Sequence, residues 1–119
     1  MQNMNIEDIR TYALNKLGSS EGLKWGENLC FMVNEKIFLV LGLDEHPTTS
    51  AFKVSEEDFN TLIERDDIKQ APYFAKNQWV KITDLENLSP KEWENYIDNA
   101  YLLVAKKLTQ KAQKELGLL

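Results

Sequence analysis

Residues 28–43, NLCFMVNEKIFLVLGL, decide the architecture of this chain. In the first half Leu29, Phe31 and Val33 alternate with Asn28, Cys30 and Met32, the period of a strand with one buried face. Asn34-Glu35-Lys36 supplies turn chemistry, and the run from Ile37 to Leu43 is apolar on both faces. The pair reads as a hairpin whose second strand is central, flanked by other strands and covered on at least one side. Left exposed, such a run would pair with copies of itself.

Upstream of the hairpin, Ile6, Ile9, Ala13, Leu14 and Leu17 fall at helical spacing, with Asn5 as N-cap, Asp8 in the first turn and Gly18 as a stop, which predicts a helix over 6–17. The segment between this helix and the hairpin reads as a polar loop. Downstream, a turn holding Asp44, Glu45, His46 and Pro47 leads to a third strand over Thr49–Val54. Ser55 then caps a short helix carried by Phe59, Leu62 and Ile63, with Glu56, Glu57 and Asp58 in its first turn. After Ala71-Pro72, the segments Tyr73-Phe74-Ala75 and Trp79–Thr83 read as a second hairpin about the turn Lys76-Asn77-Gln78. Ser89-Pro90-Lys91-Glu92 is a capping box with proline at the first helical position, and Leu88 staples against Trp93. It opens a long helix whose buried stripe is Trp93, Ile97, Ala100, Tyr101, Val104 and Leu108. Thr109 caps a short closing helix with Lys111 and Lys114, ended by Gly117. The expected fold is α+β, in the order α-β-β-β-α-β-β-α, with an antiparallel sheet and helices packed mainly on one face.

The 119 residues are 43% hydrophobic and 10% aromatic, enough for one core, so a single domain over 1–119 is expected without metal or disulfide staples. Cys30 is the one cysteine, set between Leu29 and Phe31, and reads as an inert buried thiol in a reducing compartment. The N-terminal residues lack the basic and apolar regions of a signal peptide, and no apolar run approaches a membrane span, so a cytoplasmic protein is expected. The formal charge is -5, but it is polarised: residues 1–101 hold 10 basic and 18 acidic groups, whereas residues 102–119 hold 4 basic and 1 acidic.

The segments Asn5-Ile6-Glu7-Asp8-Ile9-Arg10, Trp25-Gly26-Glu27, Phe31-Met32-Val33, Lys36-Ile37-Phe38, Lys53-Val54, Ala71-Pro72-Tyr73, Trp79-Val80 and Ile97–Leu108 occur in an order that resembles the MmcQ/YjbR family of small bacterial proteins. The resemblance implies a fold similar to that of secretion chaperones. It also implies DNA binding, because members are generally labelled so on the likeness of their two β-hairpins to a double wing. Two departures stand out: Tyr73-Phe74 where relatives often carry Tyr-His, and Thr109 where a proline is usual.

The second hairpin is the local place for such an activity, since Lys76 and Lys81 have no acidic neighbour between Asp67 and Asp84 and Lys69 precedes them, whereas Trp25, ahead of the first strand, reads as a packing residue. Lys76 and Lys81 would meet phosphates, Asn77 and Gln78 would form the tip, and Tyr73 or Trp79 would place the wing, with Lys111 and Lys114 as a second basic surface. The competing reading makes Trp79 a core anchor and the two lysines solvated edge charges. Arg is the favoured bidentate partner of guanine, and the two arginines, Arg10 and Arg65, lie outside the hairpin, so contact with double-stranded DNA should be weak, salt-sensitive and nonspecific, at ~10⁻⁴ to 10⁻⁶ M. The alternative is a non-enzymatic interaction module that binds a protein or an extended peptide along a sheet edge or between helices. Catalysis is not expected: His46 is the lone histidine, Cys30 has no evident base, and no glycine-rich phosphate loop is present. The acidic pairs are accounted for by helix capping and solvation, so neither metal nor cofactor is expected.

Overall fold

The computed structural model describes residues 3–119. The hairpin that organises the sequence is formed by β2 (Asn28–Val33) and β3 (Lys36–Gly42), joined at Asn34 and Glu35, both with positive φ as a tight hairpin turn requires. The register slips by one between Phe31 and Met32, so that Phe38 has no cross-strand partner and both Phe38 and Leu39 reach the same core. As expected of a strand apolar on both faces, β3 is central. Its other neighbour is β4 (Thr49–Lys53), followed by β6 (Trp79–Ile82) and β5 (Ile68–Gln70), and β1 (Ser19–Lys24) lies outside β2. The six strands run in the order β1-β2-β3-β4-β6-β5, antiparallel throughout.

Four helices, α1 (Ile6–Leu14), α2 (Glu56–Leu62), α3 (Pro90–Ala105) and α4 (Gln110–Glu115), complete the α+β fold. The first three bury Ile9, Ala13, Phe59, Leu62, Trp93 and Ile97 in one core with Phe31, Leu39, Phe52 and Val80 of the sheet. The Ser89 cap forms as read: the Glu92 N–H donates to Ser89 Oγ at 3.2 Å and the Ser89 N–H to Glu92 Oε1 at 3.0 Å. α3 crosses the middle of the sheet, where Trp93 is fully buried and its indole N–H donates to the Leu85 carbonyl at 2.9 Å.

Two elements differ from the sequence reading. The polar loop after α1 is a strand: Ser19–Lys24 pairs along its whole length with β2, Gly22 opposite Cys30. It carries one large apolar residue, Leu23, 59% exposed, because an edge strand has little to bury and polar side chains guard its open edge. The first arm of the second hairpin is Ile68–Gln70, not Tyr73-Phe74-Ala75. Ile68 is buried opposite Ile82, whereas Tyr73 has φ 69°, which no strand residue adopts, so residues 71–78 form a long loop. The first helix also stops at Leu14 rather than at 17.

β1 is tied to α1 by a bidentate pair, with Arg10 Nε 2.8 Å from Glu21 Oε2 and Arg10 Nη2 2.6 Å from Glu21 Oε1. Hydrogen bonding from Arg10 holds the Glu21 carboxyl below the ordinary carboxylate range. A folded value below the unfolded one makes the pair stabilising above the ordinary glutamate pKa, a contribution lost as pH falls through the folded value. Glu21→Gln is therefore expected to melt below the wild type near pH 7, with the gap closing below about pH 4. Thermal melts of both proteins across that range check this, and a gap independent of pH would refute it.

Candidate functional site

The helices cover one face of the sheet, and the opposite face carries a second, smaller cluster. Strand alternation points Cys30, Val40, Ala51 and Trp79 to this helix-free side, where they pack with Ala71, Ile37 and Phe74. The cluster is closed by the loop 71–78, which folds back over the sheet. Phe74 stacks on Trp79 with ring centroids 4.3 Å apart and planes 20° from parallel, and Ala71 N–H donates to the Trp79 carbonyl at 3.1 Å. At the far end of the loop, Lys53 Nζ donates to Gln78 Oε1 at 3.1 Å and the Val54 N–H to the Gln78 carbonyl at 2.9 Å.

Beside this loop lies a groove of about 600 Å³, walled by Trp25 in the β1–β2 turn, the loop after β3, and Pro72, Tyr73 and Phe74. Val40, Ala51 and Ala71 form an apolar floor. One end is polar: Thr49 Oγ1 donates to Glu45 Oε1 at 2.8 Å, and Lys81 Nζ reaches the same oxygen at 3.4 Å. The Thr49 hydrogen bond, helped by the charge of Lys81, lowers the Glu45 pKa. Gly42 is required here, since a Cβ would stand 2.5 Å from Thr49 Oγ1 and 3.0 Å from Glu45 Oε1. Trp25 is 67% exposed and Tyr73 fully exposed, and both have positive φ, 49° and 69°.

Charge is unevenly divided between the two sides of the sheet: lysines gather on the helix-free face, where Glu45 stands at the polar end of the groove. Alternation places Lys24, Lys53, Lys69 and Lys81 on the helix-free face, with Lys69 directly across from Lys81, and Lys76 stands on the loop that covers it. Among the described residues no strand puts a carboxylate on this face, and of these five lysines only Lys81 has an ion-pair partner, Glu45. Partial burial, and then the charge of Lys107, push the Lys53 pKa down. The carboxylates of α1, α2 and α3 lie on the other side, where Glu7, Glu21, Asp67, Glu92 and Asp98 are paired with Arg10, Arg65 and Lys16.

Of the residues singled out from the sequence, Tyr73 and Lys81 line the groove, and Lys76 follows Tyr73 on the same exposed loop. Asn77 and Gln78 are engaged in the loop's own bonds, the former through its N–H to Gln70 Oε1 at 3.4 Å. Trp79 is 6% exposed beneath Phe74, so its ring anchors the loop and has no face to offer a ligand. Lys111 and Lys114 are not part of this surface. They sit on α4, which the following Leu116 and Leu118 hold against the helix-side core beside Gly18. Sequence reasoning placed Lys69 ahead of the hairpin lysines but missed Lys24 and Lys53, which join that face only through the pairing of β1 and β4, and it set Trp25 aside as a packing residue. The signal for Trp25 was Trp-Gly in a hairpin turn, where asparagine is the unstrained choice.

Cys30 is fully buried, and desolvation pushes its thiol pKa up, which leaves it a neutral packing group. Among the described residues no cluster of three or more His, Cys, Asp or Glu side chains is placed to hold a metal, and no helix is long and apolar enough to cross a membrane.

A family model described as YjbR matches residues 14–103. The structure is similar to the crystal structure of the Deinococcus radiodurans protein DR2400, described with a DUF419 domain, at 26% identity and TM-score 0.87, over 100% of this chain and 91% of that one. It shares its fold with a crystallised Pseudomonas syringae protein at 22% identity and TM-score 0.68, over 84% of this chain and 98% of that one. No curated protein matches the chain.

Proposed function

The chain belongs to the YjbR family, and from that premise we propose that it is a non-enzymatic cytoplasmic protein that binds DNA weakly and without sequence preference, through the helix-free face of its sheet. The observation that carries this reading is the segregation of charge. Lys24, Lys69 and Lys76 are exposed and Lys53 half-buried on one side, none with an ion-pair partner, while the one carboxylate carried by a strand, Glu21, points to the helix side and the four helices hold nine of the nineteen acidic groups. A helix layer is about 10 Å thick and the Debye length at physiological salt is about 8 Å, so those carboxylates are largely screened from a polyanion lying on the open face. The acid excess then limits affinity without forbidding contact.

Lack of sequence preference has a matching cause. Both arginines, the side chains suited to guanine, are held on the helix side: Arg10 by Glu21, and Arg65 by Glu92 at 2.9 Å and the Asn87 carbonyl. Lysines meeting phosphates position a duplex but carry no sequence information.

A labelled duplex of about 25 base pairs, titrated at about 50 and about 200 mM salt, is expected to bind with Kd between ~10⁻⁶ and ~10⁻⁴ M at the lower salt and far more weakly at the higher, whatever its sequence. No binding at about 50 mM salt with about 100 μM protein would overturn the proposal. A protein or peptide partner is the second reading, favoured by the apolar floor of the groove and by the open edge of β5, to which an extended segment can add as a strand.

A further inference from the structure

We infer that the groove on the helix-free face seats one unpaired nucleobase of a single strand, with Trp25 and Tyr73 as stacking platforms and the surrounding lysines taking the flanking phosphates. This rests on the nucleic-acid reading above. Trp25 and Tyr73 are the aromatic residues among the exposed large hydrophobics, and they meet at one groove from two separate loops. Each also holds a left-handed backbone, uncommon for a bulky side chain. Asparagine or glycine would relieve that strain in the Trp25-Gly26 turn, and packing does not explain the tryptophan, since its ring is mostly in solvent. Strained backbone that presents an unburied aromatic ring at a cleft is what a binding site retains and a fold does not need.

The groove's chemistry selects the occupant. Its volume of about 600 Å³ leaves room for a base with its sugar, and its floor of Val40, Ala51 and Ala71 is apolar. At the polar end, Glu45 is held ionised by Thr49 and Lys81, so its carboxylate repels a phosphate inside the groove while accepting an N–H from the edge of a base. The phosphates therefore belong outside, beside Lys24, Lys69 and Lys76. A base paired and stacked within a duplex cannot enter, so the ligand is single-stranded.

The test compares a labelled thymidine dodecamer with an abasic strand of the same length, which keeps every phosphate and lacks the rings. The wild type is expected to bind the thymidine strand about 5- to 100-fold more tightly, the range for stacking a base on aromatic side chains. Trp25→Ala and Tyr73→Ala remove only exposed rings. Each is expected to reduce that ratio, and together they bring it to about one without changing affinity for the abasic strand. Equal binding of the two strands by the wild type overturns the base seat and leaves nonspecific phosphate binding standing, as does a double variant that keeps the ratio. Failure of both strands to bind overturns the base seat and the nucleic-acid reading together. Thymidine monophosphate is expected to bind at least about tenfold more weakly than the dodecamer, because it recruits fewer lysines, and equal affinity would assign the groove to free nucleotides and overturn the strand.

Discussion

Trp93→Ala is expected to lower the unfolding free energy by about 3–5 kcal/mol, the largest single-residue loss in this fold. Trp93 is fully buried where α3 crosses the sheet, with its ring 6.0 Å from that of Phe52. Truncation leaves a cavity that α3, pinned by the Ser89 cap and packed on β3 and β4, cannot collapse to fill. It also strips the Leu85 carbonyl of its buried donor, a cost of about 1–3 kcal/mol when a buried partner is left unpaired. Domains of this size hold about 5–15 kcal/mol, so the variant should lose about a fifth or more of its stability and about 10–20 °C in Tm. Trp93→Phe, which keeps much of the volume but not the N–H donor, should lose roughly half as much. Urea unfolding of the three proteins decides it, and a loss below about 1 kcal/mol for the alanine variant would show that this contact does not organise the core.

The parts of the fold legible in the sequence are those where a local pattern and burial agree. The α+β class, the central β3 and the start of α3 follow from a two-sided apolar strand and a capping box, signals that need no tertiary context. β1 was illegible because an edge strand is specified by its neighbour: Ser-Ser-Glu-Gly-Leu-Lys has no alternation of its own, and Phe31, Cys30 and Leu29 on β2 provide what it pairs with. The mistaken arm at Tyr73-Phe74 has a related cause. Two aromatics in a row look like a strand, yet Phe74 is apolar because it stacks on Trp79, and Tyr73 is exposed in a left-handed conformation. The site was legible only in pieces. Lys69, Lys76, Lys81 and Tyr73 could be found near one another in the chain, but Lys24 and Lys53 join them only through strand order, because β4 pairs with β6 and β1 lies at the opposite edge of the sheet. Net charge by segment gives a different division. It sets the basic tail apart, whereas the proposed interface depends on the two faces of the sheet, with a strand such as β1 presenting Glu21 to one side and Lys24 to the other.

Neutralising three of the open-face lysines, Lys53→Gln, Lys69→Gln and Lys76→Gln in one protein, should remove most of the salt dependence of DNA binding. Each phosphate neutralised contributes about -0.9 to the slope of log K against log salt, so four lysine contacts give about -3.6 and an affinity loss of about 10²-fold between about 50 and 200 mM salt. With one contact left, the slope should be about -0.9 and the loss about three- to fourfold. The substitutions spare the fold: Lys69 and Lys76 are exposed, Lys69 stands opposite the like charge of Lys81, and glutamine at 53 can still donate to Gln78. Lys111→Gln with Lys114→Gln changes the charge almost as much but on the other side of the molecule, at α4. That variant should keep the wild-type slope, because α4 is held on the helix-side core by the following Leu116 and Leu118 and its lysines are not part of the helix-free face. The pair of measurements therefore distinguishes a local interface from a response to net charge. Equal slopes for the wild type and the triple variant, or a reduced slope for the α4 variant, would move the interface away from the face proposed for it.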